Sequence, residues 1–323
     1  MMLTVTINPL LEFRFKSKII SFGGTNRNAS LNYLAGGKGI NVSRQLNCLN
    51  TKNIALTFLG GMNGKKLKEI LEQEKINFTS IRTESETRIC SVIIDEESKS
   101  VTSLFSTDQN ILISEAEEFK IKLEKMIPNY EIVVFAGSSP CKATDNLFAS
   151  GIEIAKKYDK VAILDTYGNS LVNGLKAIPT AIHNNIAEVE SSLGISLNTE
   201  EEKISFIKSF FEKGIKRIFL TDGDGDIYVS NYDFIYKIKP PSVNSIDPTG
   251  SGDAFVSGLI YGWHNDLSFD ESLKIAVSLG AVNATKYSVC DIKKDEIDFL
   301  MNQIEIESVG KKIKMIDDRP TIT

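Results

Sequence analysis

The stretch Asp247-Pro248-Thr249-Gly250-Ser251-Gly252-Asp253 joins two glycines to a carboxylate just ahead of an apolar run. Gly250 and Gly252 accept positive φ and let a ligand approach the main chain without meeting a Cβ. Ala254, Phe255, Val256, Leu259 and Ile260 follow at helical spacing, so the glycines stand at a helix N-terminus. Free N–H groups and the positive end of the helix dipole make such a terminus a cradle for phosphate. Asp253 in the first turn suits that dipole, and its carboxylate is placed to accept a proton from an attacking hydroxyl. An ordinary capped turn has the same short pattern, so the reading needs a second site.

That second site is Gly36-Gly37-Lys38-Gly39-Ile40-Asn41, which opens an apolar-periodic run through Val42, Leu46 and Leu49. It is again loop into helix, now with a lysine and an amide. The bland alternative is that the glycines permit tight packing and Lys38 is solvated. In this order, about two hundred residues apart, the two motifs resemble those of the PfkB (ribokinase-like) carbohydrate kinases, and within them the sugar-phosphate branch of 1-phosphofructokinase and tagatose-6-phosphate kinase. The likeness extends through Thr6-Ile7-Asn8-Pro9, Thr25-Asn26-Arg27, Ala35 to Arg44, Glu86-Thr87-Arg88 and Ala136-Gly137-Ser138-Ser139-Pro140.

The resemblance implies ATP-dependent phosphorylation of a ketohexose monophosphate, fructose 1-phosphate to fructose 1,6-bisphosphate first and tagatose 6-phosphate second. Asp253 is then the base, and the backbone of Gly250, Ser251, Gly252 and Asp253 the anion hole. Arg27, Lys38 and Arg88 are implied near the acceptor's phosphate. Glu12, Gly36, Gly37, Asn41 and Ser138 are implied around the sugar. On the nucleotide side it implies His183, Asn185, Glu188, Thr221, Gly223 and Gly225, with Asn185 and Glu188 organising Mg²⁺ through water.

Four positions depart from the branch. Glu12 stands where an aspartate is usual, His183 and Asn184 replace a lysine and a proline, and Asp226 stands where a glycine is expected, with Gly225 beside it. A neutral imidazole, with a reference pKa of about 6.5, does not fully replace a lysine on ATP phosphates. Asn185 and Glu188 also read as a helix capping pattern, and Asp222-Gly223 as a hairpin turn. A sugar-phosphate or nucleotide sensor with weak turnover is the alternative of another class.

Composition is compatible with this. A 42% hydrophobic fraction is ample for a core, and the resemblance implies a single kinase domain over 1–323. The formal charge of −5 and pI near 5.4 disfavour nucleic acid and anionic lipid, so an anionic substrate must be held locally. No apolar run approaches the roughly eighteen residues of a membrane span, and the N-terminus has no signal-peptide pattern; the expected location is cytoplasmic. Cys48, Cys90, Cys141 and Cys290 are widely spaced, without a C-x-x-C pair.

Leu3–Ile7, Ile54–Leu59, Ile132–Ala136, Val161–Leu164 and Arg217–Thr221 read as strands. Gly64–Glu74, Ser114–Met126, Asn146–Lys157 and Glu200–Lys213 read as helices. The alternation predicts an α/β fold with a mostly parallel sheet covered on both faces, and ligands at the carboxyl ends of its strands. Segments 12–34 and 87–105 break the rhythm and predict antiparallel strands of a small sheet. In the resembled family this is a lid over the sugar and a surface for a homodimer. The polar tail Lys311–Thr323 matches nothing.

Overall fold

The structure, a computed structural model, describes residues 1–309; the tail Lys311–Thr323 lies outside them. The chain begins with β1 (Met2–Thr6), β2 (Leu10–Ser17), β3 (Ser30–Gly36), α1 (Lys38–Cys48), β4 (Asn53–Gly60), α2 (Gly61–Gln73) and β5 (Phe78–Thr83). It continues through β6 (Arg88–Asp95), β7 (Ser100–Phe105), α3 (Ile113–Met126), β8 (Ile132–Ala136), α4 (Leu147–Lys157), β9 (Val161–Asp165), α5 (Asn169–Lys176) and β10 (Ala181–Asn185). The last elements are α6 (Ile186–Leu193), α7 (Glu200–Glu212), β11 (Arg217–Thr221), β12 (Ile227–Asn231), β13 (Phe234–Ile238), α8 (Ser251–His264), α9 (Phe269–Ala284), the short α10 (Asp298–Met301) and β14 (Ile306–Val309).

The main sheet has ten strands in the order β14-β13-β12-β11-β10-β9-β8-β1-β4-β5. From β5 to β11 neighbouring strands are parallel, and β12, β13 and β14 add an antiparallel edge. The central strands are apolar on both faces because helices cover both. Leu3, Val5, Val133 and Phe135 enter one core with Phe119 and Phe148 of α3 and α4. Met2, Val134 and Ile163 enter the other with Val42 of α1 and Phe255 and Leu259 of α8. Parallel sheets buried on both sides give such near-continuous apolar runs.

The four expected helices are α2, α3, α4 and α7. Helix α2 starts at Gly61, ahead of the expected Gly64, because Glu86 reaches across to accept the N–H of Asn63 at 2.6 Å. That cap comes from a distant residue, so no local signal marks it.

The lid is a second sheet, in the order β3-β2-β6-β7. It corrects the expectation of antiparallel strands in one respect. The β2–β3 and β6–β7 pairs are antiparallel, but the central β2–β6 pair is parallel. β2 follows β1 and β6 follows β5; those strands point the same way in the main sheet, so their continuations rise into the lid in the same direction. One lid face packs Leu10, Cys90, Val92 and Ile94 against Tyr287. On the other face Leu31, Tyr33 and Leu104 are exposed. Among the described residues no helix is long and apolar enough to cross a membrane.

Candidate active site

The carboxyl ends of β1, β8, β9, β10 and β11 converge on the N-termini of α1 and α8. Gly250 caps α8 in the left-handed region (φ 83), and a Cβ there would lie 2.5 Å from Val289. Asn283 of α9 clamps the turn, donating to Thr249 O at 2.8 Å and to Ser251 Oγ at 3.2 Å. Among the described residues no protein acceptor meets the N–H of Gly252 or Asp253, which leaves two donors at a positive helix end. A Cβ on Gly252 would come 2.9 Å from His183 Cε1.

Asp253 is 4% exposed and accepts from Asn41 Nδ2 at 2.7 Å, so the two motifs meet at that bond. Burial, and then the charge of Asp165, push its carboxyl up to about 7, against the pull of Lys38, Asn41 and His183. A carboxylate in that range is a competent base at neutral pH.

Lys38, the first residue of α1, reaches Asp165 Oδ1 at 2.9 Å and Glu188 Oε1 at 2.7 Å. Burial alone would lower its pKa, but Asp165, Glu188 and Asp253 together hold it above the usual lysine range. Burial likewise works against the charge on Asp165, and Lys38 and His183 more than offset it, holding that carboxyl below the usual range. His183 is buried, stacked on Phe255 at 5.2 Å, with Nδ1 3.5 Å from Asp165 and Nε2 3.5 Å from Thr221 Oγ1.

A second cluster gathers at the lid. Arg88, the first residue of β6, donates to Asp108 at 2.8 Å and to Asn8 O at 3.2 Å. Asn8 in turn donates to Asp108 at 2.9 Å and to Ser138 Oγ at 3.0 Å. Glu12 turns to Arg14 at 2.8 Å, and Arg14 reaches Asp247 at 2.9 Å, in the segment ahead of α8. Gly36 leaves room for Leu10 and Glu12, and Gly37, with φ 126, for Thr6, so both also serve close packing. Arg27 is not brought to this cluster: it is exposed between β2 and β3.

Asn185 and Glu188, the pair expected to face the nucleotide, form the capping box of α6. Asn185 accepts from Glu188 N at 2.8 Å, and Glu188 Oε2 from Asn185 N at 3.2 Å. Thr221 ends β11, and Gly223 (φ 57) and Gly225 form the turn of the β11–β12 hairpin, closed by Gly225 N to Asp222 O at 2.7 Å. Beside Gly223 there is open space. Among the described residues no group of three His, Cys, Asp or Glu is placed to hold a metal ion.

Sequence reasoning missed Asp165, Arg14, Asn8 as a side-chain ligand, and Asp108. Asp165 was the most accessible of these: it is the last residue of β9, one past the expected strand end, where ligand-facing groups of a parallel sheet stand.

Two N–H groups at the start of α8, a buried carboxylate beside them and a second sheet nearby are parts that phosphoryl transfer can use. The pfkB family carbohydrate kinase pattern matches residues 8–296, and the chain belongs to this family. It is 30% identical to the tagatose-6-phosphate kinase of Staphylococcus epidermidis over 96% of this chain and all of that one. It is 28% identical to the 1-phosphofructokinase of Borreliella burgdorferi, over 96% of this chain and 99% of the other. A Thermotoga maritima structure described as a possible 1-phosphofructokinase superposes with a TM-score of 0.87 at 22% identity, covering 96% of this chain and 99% of that one, and shows the shared fold.

Proposed function

We propose that the protein transfers the γ-phosphoryl group of ATP to a hydroxyl of a ketohexose monophosphate. Fructose 1-phosphate is the first candidate, on the runs Gly36 to Arg44 and Gly23 to Arg27; tagatose 6-phosphate is the second, on the Staphylococcus relative. The observation that carries the reading is Asp253, a buried carboxylate beside two unpaired N–H groups at the start of α8. Asp253 takes the acceptor's hydroxyl proton as that oxygen bonds the γ-phosphorus. The bond to the β–γ bridging oxygen breaks, and ADP leaves. The N–H groups of Gly252 and Asp253 face the charge on the transferring group; such donors are worth ~100- to 1000-fold each in other enzymes.

Arg88 offers the acceptor's phosphate a planar fork, and Lys38 joins it in competition with its bonds to Asp165 and Glu188. Mg²⁺, when bound with ATP, neutralises phosphate charge. Both Glu188 oxygens and Asn185 Oδ1 are already engaged, so these residues fit a hydrated ion held chiefly by the nucleotide. The exposed lid face of Leu31, Tyr33 and Leu104 supports pairing with a second copy, which light scattering on the purified protein measures.

A coupled ADP-release assay over fructose 1-phosphate, tagatose 6-phosphate, fructose 6-phosphate and unphosphorylated sugars tests the reading. Turnover confined to unphosphorylated sugars refutes the substrate class. Tight binding of a sugar phosphate without turnover on any of them turns the assignment to a sensor, the reading that His183 in place of a lysine favours.

A further inference from the structure

Arg44 lies on α1, three residues beyond Asn41. Its side chain is buried and heavily engaged: Nη1 donates to Asn41 Oδ1 at 2.8 Å, Nη2 to the Ala35 carbonyl, and Nε to Glu74 at 2.8 Å. A guanidinium has donors only. It therefore claims the oxygen end of the Asn41 amide and leaves the NH₂ end for Asp253, which it meets at 2.7 Å. We propose that Arg44 is a positioning residue: it sets the direction of the hydrogen-bond chain Arg44–Asn41–Asp253, so that Asp253 faces a donor and is held as the proton-accepting carboxylate. This rests on the reading of Asp253 as the base.

An amide without that constraint has two useful orientations. One end donates to a carboxylate; the other accepts from a protonated carboxyl. Burial and Asp165 already favour the protonated form, so a free amide would turn and stabilise it further. The charged and titratable groups around Asp253 are Asp165 from β9, Lys38 from α1, His183 from β10 and Cys290 from the segment after α9. Among the described residues none of these hydrogen-bonds the Asn41 side chain, so its orientation comes from Arg44.

Behind α1 a cavity of about 880 Å³ reaches Arg44 and Glu74, with Cys48 and Asp291 on its wall. Asp253, Lys38 and Arg88 do not line it, so it is separate from the proposed reaction site. It lets water reach position 44, so a shortened polar side chain there does not leave a dry hole.

The test is ¹³C NMR titration of aspartate-labelled protein, with Asp253→Asn assigning the resonance, beside the pH profile of kcat/KM. Arg44→Gln carries both a donor and an acceptor and no longer dictates direction. The Asp253 midpoint and the acidic limb are expected to move up by about one pH unit, the scale of one hydrogen bond to a charged group, with KM for ATP unchanged. Arg44→Lys, donor-only, is expected to bring the midpoint most of the way back to the parent value. In an Asn41→Ala background Arg44→Gln is expected to add nothing, which separates amide direction from simple loss of charge. No shift in Arg44→Gln, or the same shift with Asn41 absent, overturns the proposal. Arg44→Met serves the same comparison should the glutamine variant not fold. Turnover by Asp253→Asn would instead defeat the base reading, while the NMR midpoint still tests Arg44.

Discussion

The ammonium of Lys38 lies 2.9 Å from Oδ1 of Asp165, joining the start of α1 to the carboxyl end of β9. Lys38 is thus no free cation waiting for a phosphate. Its charge is shared with Asp165 and Glu188, and an incoming anion must compete with both. Lys38→Met leaves two carboxylates without their cation. Breaking a buried pair costs about 3–5 kcal/mol, and about 2–3 is expected here because Lys38 is a quarter exposed. Asp165 has a depressed folded pKa, so its contribution is present above the unfolded carboxylate pKa and is lost as pH falls through the folded one. Urea unfolding of the variant is expected to show the full deficit at pH 7 and a smaller one in acid. An equal deficit at pH 3 would contradict the pairing.

Asp253 behaves in the opposite sense. Its folded pKa is raised to about 7, so the folded state holds a proton that the unfolded chain has released. Stability linked to it is full below the unfolded carboxylate pKa and is lost as pH rises from about 4 through about 7. Asp253→Asn is expected to abolish turnover, leave nucleotide affinity roughly intact, and make the ligand-free protein more stable than the parent at pH 8. The gain is on the order of 2–4 kcal/mol and vanishes near pH 4. Melting temperatures of both proteins across that range measure it; a variant less stable at pH 8 would show that Asp253 is not strained by its charge.

What could be read beforehand follows physical range. The loop-into-helix motifs are local, and they gave Asn41 and Asp253, which meet at 2.7 Å. Apolar alternation is local too, and it gave the parallel sheet and four helices. The partner of Lys38 is 127 residues away and arises from the order β8-β9-β10, which no local pattern encodes. The same holds for the parallel β2–β6 pair and for Arg14, whose link to Asp247 spans 233 residues. His183 stood out as a departure, but its burial against Phe255 depends on how α8 packs on the sheet.

Gly252 and His183 are expected to be coupled by that packing. A Cβ on Gly252 would sit 2.9 Å from the imidazole Cε1, so Gly252→Ala forces the ring to shift and crowds the N–H groups at the start of α8. A loss in kcat of ~100-fold is expected, as for an impaired oxyanion donor. Gly252→Ala with His183→Ala removes the clash, and partial recovery of kcat is expected. A double variant no better than Gly252→Ala would show that the methyl acts on the ligand and not through the ring.

Arg88, proposed to hold the acceptor's phosphate, is expected to distinguish the two proposed substrates. Its guanidinium is 12% exposed, fixed by Asp108 and the Asn8 carbonyl at the base of the lid, with Phe105 stacked at 5.7 Å. Those contacts hold the fork in place before an anion arrives, and among the described residues its buried Nε has no protein partner. Hydrogen bonds to charged groups contribute about 1.5–3 kcal/mol, so losing the fork corresponds to roughly 10- to 100-fold in affinity. Arg88→Ala is therefore expected to raise KM for the phosphorylated sugar by that factor while KM for ATP changes less than about threefold. Arg88→Lys is expected to recover only part, because an ammonium offers a point charge in place of the planar fork. Steady-state kinetics with each substrate varied in turn decides it. If KM for ATP rises as much as that for the sugar phosphate, Arg88 serves the nucleotide or the lid as a whole, and the acceptor phosphate is held elsewhere.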